Sequence, residues 1–332
     1  MATNASASQQ VPKRTIKDFK FVNELNNGSY STVYLGIEIA TDRKLAIKAV
    51  KKSLIKRLNK VQEVFREKAI LTQLDDCVYT ISLYCTFQTE ENLYFGLTYC
   101  SNGDLLQHIT DANHFDLETV RFYSAELVEA LEQLHIRHVI HRDLKPENIL
   151  LTDNMHIQLA DFGSAVLIET NEAAQTGEEK EKEKKSTERR NSFVGTPQFV
   201  APEILQNGLI HIGSDFWSLG CVIYQMVTGE HLFRGHHEYD IMNAVVRVAY
   251  KLPDDFPELV EDLIRKLVRL GPHERLGSDE TGGVEKLKVH GFFADTKWGE
   301  LLNQQSPLAV KSKLDSQPKN SDDDTNTEYT ED

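Results

Sequence analysis

Residues 141–148 read His141-Arg142-Asp143-Leu144-Lys145-Pro146-Glu147-Asn148, and thirteen positions after Asn148 stands Asp161-Phe162-Gly163. Any fold this chain adopts has to bring two separated carboxylates, an ammonium and an amide to one place. Such a set suits phosphoryl transfer, where negative charge spreads over the oxygens of the moving group and catalysis rests on positioning and electrostatic stabilisation. Asp143 is expected to orient a hydroxyl and accept its proton, with Lys145 close to the γ-phosphate. Asn148 and Asp161 offer the oxygen donors that Mg2+ prefers. A tripeptide matches by accident often; eight consecutive residues followed in order by a second motif rarely do.

Upstream, residues 25–33 read LNNGSYSTV between two runs of strand type, 19–25 and 31–39. They are expected to form a phosphate loop closing a hairpin, with Gly28, Ser29, Tyr30 and Ser31 at its tip and backbone amides approaching phosphate. Only Gly28 remains of a G-x-G-x-x-G pattern, Asn26 and Ser31 holding the other places. Asn tolerates left-handed backbone better than most residues, so the turn is expected to survive through it. Lys48 ends an alternating strand over 44–50, poised for the α- and β-phosphates. Glu67, nineteen residues on, lies in a segment where Val61, Val64, Phe65 and Lys68 recur at helical spacing, and is expected to reach back to Lys48 from one helix face.

Length and composition permit one sizeable core: 332 residues, 40% hydrophobic, predict one two-lobed domain with tails. Cys77, Cys85, Cys100 and Cys221 show no paired or metal-ligand spacing, which predicts free thiols and a cytoplasmic protein. No apolar run reaches the ~18 residues that span a bilayer. Of the net charge of −14, residues 315–332 carry −6, from seven acids and one lysine, leaving −8 for the rest; a disordered tail, and no nucleic-acid binding, are expected. Residues 169–190, with seven acids and six bases, predict a mobile loop.

The motifs together resemble those of protein kinases. Ala201-Pro202-Glu203 then closes the segment that Asp161 opens, and Glu203 is expected to pair with Arg275. Over residues 19–298 the chain is similar to the AGC group of serine/threonine kinases, and within it to the phosphoinositide-dependent family. The resemblance is carried by GSYSTVYL (28–35), ENLYFGLTYCSNGDLL (91–106), HRDLKPENILL (141–151), NSFVGT (191–196) and HGFFADTKW (290–298). It implies an α+β, two-lobed protein kinase fold: a flexible leader over 1–18, an antiparallel-sheet N-lobe with one helix over 19–97, a hinge at 98–100, a mainly helical C-lobe over 101–293, and an acidic, largely disordered extension over 294–332.

ATP and Mg2+ are the implied cosubstrate and ion. Adenine is expected at the backbone of the Thr98-Tyr99-Cys100 hinge, between Leu25, Val33, Ala46, Leu97 and Leu150, with Asp104 near the ribose and Glu147 also among the nucleotide-binding residues. Lys145 is in the placement typical of serine/threonine specificity. Ser192 occupies the family's autophosphorylation position, with Arg66 and Arg142 as its phosphate clamp; a lysine the family adds to that clamp is Val166 here. Lys52, Ile55, Val61, Val64, Lys68, Thr86, Gln88 and Leu93 match a pocket that docks hydrophobic motifs of substrate kinases, with Lys56 in place of an apolar residue and Lys68 in place of an arginine. Other AGC kinases are the implied partners. No FxxF-type motif follows Trp298, and the residues beyond it are too few for a pleckstrin-homology domain, so direct phosphoinositide binding is not expected. Two alternatives stay open: a pseudokinase acting as a scaffold, and an AGC kinase with unrelated substrates.

Overall fold

In a computed structural model, residues 14–168, 197–206, 208 and 210–315 are described. Ser192 and the 169–190 insert lie outside them. The chain begins with three strands in sequence, β1 (Phe19–Asn27), β2 (Ser31–Glu38) and β3 (Arg43–Lys51), then α1 (Lys52–Arg57) and α2 (Val61–Gln73), then β4 (Leu83–Gln88) and β5 (Asn92–Thr98). These strands form one antiparallel sheet in the order β1-β2-β3-β5-β4.

Alternation along the central strand β3 decides what each sheet face holds. Leu45, Ile47 and Ala49 join Phe19, Phe87 and Tyr94 in a small core behind the sheet. Their rings stack, Phe19 on Phe87 at 4.9 Å and Phe87 on Tyr94 at 4.8 Å. The intervening Ala46 and Lys48 face a cleft on the other side.

The second lobe carries α3 (Leu105–Ala112), α4 (Leu117–Ile136), α5 (Pro202–Leu205), α6 (Gly213–Thr228), α7 (Glu238–Val246), α8 (Glu258–Leu267), α9 (Gly283–Lys288) and α10 (Pro307–Asp315). Between α4 and α5 lie short strands, with β6 (Val139–Ile140) pairing β9 (Val166–Leu167) and β7 (Ile149–Leu151) pairing β8 (Ile157–Leu159). Helix α6 is buried almost all round, its polar Ser214, Asp215, Ser218 and Gln225 included, which marks it as the axis of the lobe.

Several expectations are corrected. The hairpin closes without a left-handed Asn: Asn26 and Asn27 are extended and pair with Val33 and Thr32, and the Gly28 N–H donates to the Ser31 carbonyl at 2.8 Å. Strand pairing, rather than Asn permissiveness, holds this turn. Lys48 lies inside β3 and not at its end.

The buried stripe of α2 is Val64, Glu67, Ile70 and Leu71; Phe65 is 62% exposed and Lys68 is exposed, so the inward face is rotated from the spacing first read. Two segments expected to be unstructured are folded in their described parts. Arg14 donates to Glu38 at 3.2 Å and to Tyr84 Oη at 3.1 Å. Helix α10 lies on α4, where Tyr123 Oη and Ser306 Oγ meet at 2.7 Å.

Candidate active site

The cleft between the lobes has a volume of about 440 Å3. The β1–β2 turn roofs it, and Leu25, Val33, Ala46, Leu97 and Leu150 line an apolar slot that ends at Thr98, Tyr99 and Cys100. Gly28, Ser29, Tyr30, Ser31, Asp104 and Glu147 also line it, so the residues read for nucleotide contact converge here. Apolar walls with a few placed polar groups are the usual build of a small-molecule site. Asp104 is held as the N-cap of α3, accepting the Gln107 N–H at 2.9 Å.

At the inner end, Lys48 Nζ donates to Glu67 Oε1 at 2.6 Å and to Asp161 Oδ1 at 3.2 Å. Burial alone would depress the Lys48 ammonium, but Asp161 and Glu67 beside it reverse this and hold its pKa above the ordinary lysine value. The Lys48 charge pulls Asp161 below the usual carboxylate range against the effect of burial. Both groups are therefore charged at neutral pH. Asp161 sits in the left-handed region, φ 59°, a strained choice for a residue with a Cβ. Phe162, fully buried, packs edge-on to His141 at 5.0 Å and fixes that turn.

Across the cleft floor, Asn148 Nδ2 donates to the Asp143 carbonyl at 2.8 Å and to Asp143 Oδ2 at 2.9 Å, and Lys145 Nζ lies 3.1 Å from the same Oδ2. This arrangement commits the Asn148 amide nitrogen to Asp143 and turns its oxygen to other use. The loop is set by Asp215 of α6, which accepts from the His141 and Arg142 N–H groups at 3.0 and 2.9 Å and pairs with His135 Nε2 at 2.9 Å. His141 Nε2 reaches the Ala160 carbonyl at 3.0 Å, joining this loop to the strand before Asp161.

Asp215 stands in the stretch 214–220, which resembles the start of a large buried helix, but sequence reading assigns it no role at the site. Its only signal is an acidic residue at the start of an otherwise apolar helix, with targets some seventy positions upstream. Ile81 and Ala160 also line the cleft without standing in any motif.

Arg66 and Arg142 come together at the side of α2. The Arg66 Nε is buried with no hydrogen-bond partner among the described residues. Burial, and the Arg66 charge beside it, lower the Arg142 pKa. The predicted docking residues meet where α1 and α2 flank β4 and β5. Lys52 Nζ donates to Gln88 Oε1 at 2.8 Å and to the Thr89 carbonyl at 2.7 Å. Ile55 and Val64 are core residues; Val61, Thr86 and Leu93 are half-buried, and Lys68 points outward.

Comparison with known proteins agrees with this architecture. The protein kinase domain family matches residues 19–293. The chain is 44% identical to human 3-phosphoinositide-dependent protein kinase 1 over 321 residues, 97% of this chain and 54% of that protein. It is 43% identical to the human putative 3-phosphoinositide-dependent protein kinase 2, covering 97% of this chain and 76% of that one. Against the serine/threonine-protein kinase ksg1 of Schizosaccharomyces pombe it is 37% identical over 309 residues, 93% of this chain and 51% of the yeast protein. The chain thus spans about half the length of human 3-phosphoinositide-dependent protein kinase 1 and of ksg1. No helix among the described residues is long and apolar enough to cross a membrane. A cleft of this construction, on this sheet and helix order, with these relatives, places the chain in the protein kinase family, among the AGC serine/threonine kinases close to 3-phosphoinositide-dependent protein kinase 1.

Proposed function

We propose that this chain is an ATP- and Mg2+-dependent serine/threonine kinase that phosphorylates the activation loops of other AGC kinases. The observation that carries the reading is the Lys48–Glu67–Asp161 chain at 2.6 and 3.2 Å, facing the Asp143–Lys145–Asn148 group across one cleft. ATP enters as substrate, its adenine between the apolar slot residues and its phosphates under the β1–β2 turn. Lys48, kept charged and pinned by Glu67, attracts the α- and β-phosphates. Asp143 holds the substrate hydroxyl and takes its proton, and Lys145 steadies charge growing on the transferring group.

The donor set fits Mg2+: the Asn148 amide oxygen is left over from the Asp143 contact, and the Asp161 side chain is 52% exposed toward the cleft. Mg2+ held by Asn148 and Asp161 would supply charge neutralisation on the phosphates.

For regulation, two guanidiniums side by side, one with a buried N–H that has no partner among the described residues, suit an anion between them. Phosphate on Ser192 is the proposed occupant, with Arg66 and Arg142 as its holders. For substrate choice, Val61, Thr86 and Leu93 would receive an apolar motif, with Lys52 and Lys68 as the nearby charges.

Purified protein should turn over ATP with Mg2+ and phosphorylate activation-loop peptides of AGC kinases, and Asp161→Ala should abolish both. ATP binding with no turnover in any assay favours the scaffold alternative. A strict preference for arginine before the acceptor would replace the proposed substrate class with an unrelated one.

A further inference from the structure

Away from the cleft, His211, His273 and Glu280 gather at the base of the C-lobe. His211 lies two residues before α6. His273 and Glu280 lie in two short turns, Pro272–Glu274 and Asp279–Thr281. His273 Nδ1 is 2.7 Å from Glu280 Oε1, His211 Nε2 is 3.6 Å from the same oxygen, and the three candidate donor atoms all lie within 4.8 Å of one another. We propose that these three side chains form a zinc site that clamps the start of α6 to the turns flanking Arg275.

The geometry is close to what the ion needs. With zinc bonds of about 2.0–2.1 Å, tetrahedral ligands sit about 3.3 Å apart, and the two measured separations bracket that value. Two imidazoles and one carboxylate make a borderline donor set that suits Zn2+, whereas Mg2+ asks for oxygen. The ligand-bearing backbone is held in place before any ion arrives. Ser278 Oγ donates to the Pro272 carbonyl at 2.8 Å, and Thr281 Oγ to the Arg275 and Ser278 carbonyls at 2.9 and 2.8 Å.

Gly213 lets the two segments approach: a Cβ there would sit 2.4 Å from the Pro272 carbonyl oxygen. His273 and Glu280 are about half exposed, which leaves an entry path and room for water as fourth ligand. Capture through His211 Nε2 requires its Nδ1 to give up the hydrogen bond it accepts from the Gly213 N–H at 2.9 Å.

The test uses the full chain, stripped with chelator and dialysed, in excess Mg2+. Zn2+ is titrated against a chromophoric competitor, in wild type and in His273→Ala and Glu280→Gln. Wild type should hold one equivalent that each variant binds at least tenfold more weakly, the lower end of what loss of even an outer-shell partner causes elsewhere. Zinc should also raise the wild-type melting temperature and leave that of Glu280→Gln unmoved. Equal zinc binding by wild type and variants, or none by wild type at micromolar Zn2+, overturns the site and leaves a surface ion pair. Both substituted residues are half exposed, so variants that match metal-free wild type by circular dichroism are expected; if His273→Ala unfolds, Glu280→Gln carries the test alone.

Discussion

Lys48–Glu67 and Glu203–Arg275 are both buried ion pairs, and they are built to different ends. Arg275 meets Glu203 with two parallel bonds of 2.7 Å, while its other donors reach the carbonyls of Arg269, Gly213 and Leu270. Ser214 Oγ adds a bond of 2.6 Å to Glu203, and the guanidinium lies 5.0 Å over the Trp217 ring. Every polar atom of that pair has a partner. In the cleft, by contrast, the second oxygen of Glu67 is buried with none among the described residues, and Lys48 divides its charge between two carboxylates. A saturated pair fixes one arrangement. An unsaturated one keeps capacity for a ligand, and a burial cost of this kind is usual where function is served.

The contrast can be broken from either side. Asp143→Asn should lower phosphoryl transfer by about 10²–10⁴-fold through loss of the base, and Lys48→Met by about 10²–10³-fold through loss of one placed charge. The melting temperature should barely move for Asp143→Asn, whereas Lys48→Met leaves Glu67 buried without its partner and should lower it as well. Rates within tenfold of wild type in a radiolabelled phosphate assay would remove the assigned role.

Arg275→Ala reverses the pattern. It leaves Glu203 buried and uncompensated, at a cost of about 3–5 kcal/mol in denaturant titrations, with Arg275→Lys intermediate because the fork geometry goes. Ser214→Ala deletes one charge-assisted bond and should cost about 1.5–3 kcal/mol; a neutral result would mean that Glu203 is held by Arg275 alone.

The smallest effect concerns acid. Burial pushes Glu203 up, but Arg275 and Ser214 outweigh it and hold the group below the ordinary glutamate range. Its contribution is therefore complete above the unfolded value of about 4.3 and disappears as pH falls through the lower folded value. Stability of wild type measured from neutral pH downward should drop more steeply there than that of Glu203→Gln. Parallel curves would contradict the assignment.

Much of the cleft was legible because the chemistry proposed for it demands particular residue types at short, fixed spacings: Asp143 to Asn148 is one loop, and Asp161 opens the next. Long-range facts were less accessible. That Asp215 supports the loop 141–143 depends on α6 passing beneath it, which no local pattern reports. The rotation of α2 was hidden because Glu67 counts as polar in any periodicity, although pairing with Lys48 makes its face the inward one. The chain beyond Trp298 reads as polar and acidic, yet Leu301 and Ser306 are buried and residues 307–315 are helical; a few anchoring contacts outweighed the average composition. The arginine pair at 66 and 142 came from resemblance, since side-by-side cations have no signature in one dimension.

The single carboxylate of Asp215 has a wider consequence. By gripping two successive amides and an imidazole, it makes the position of Asp143 a property of the helix that starts at Gly213 rather than of the loop itself. Arg142 adopts φ 67° within that grip, a conformation a free loop would relax from. Disturbance at the base of the lobe, near Pro272 or Glu203, thereby has a mechanical route to Asp143, the proposed proton acceptor, from outside the cleft.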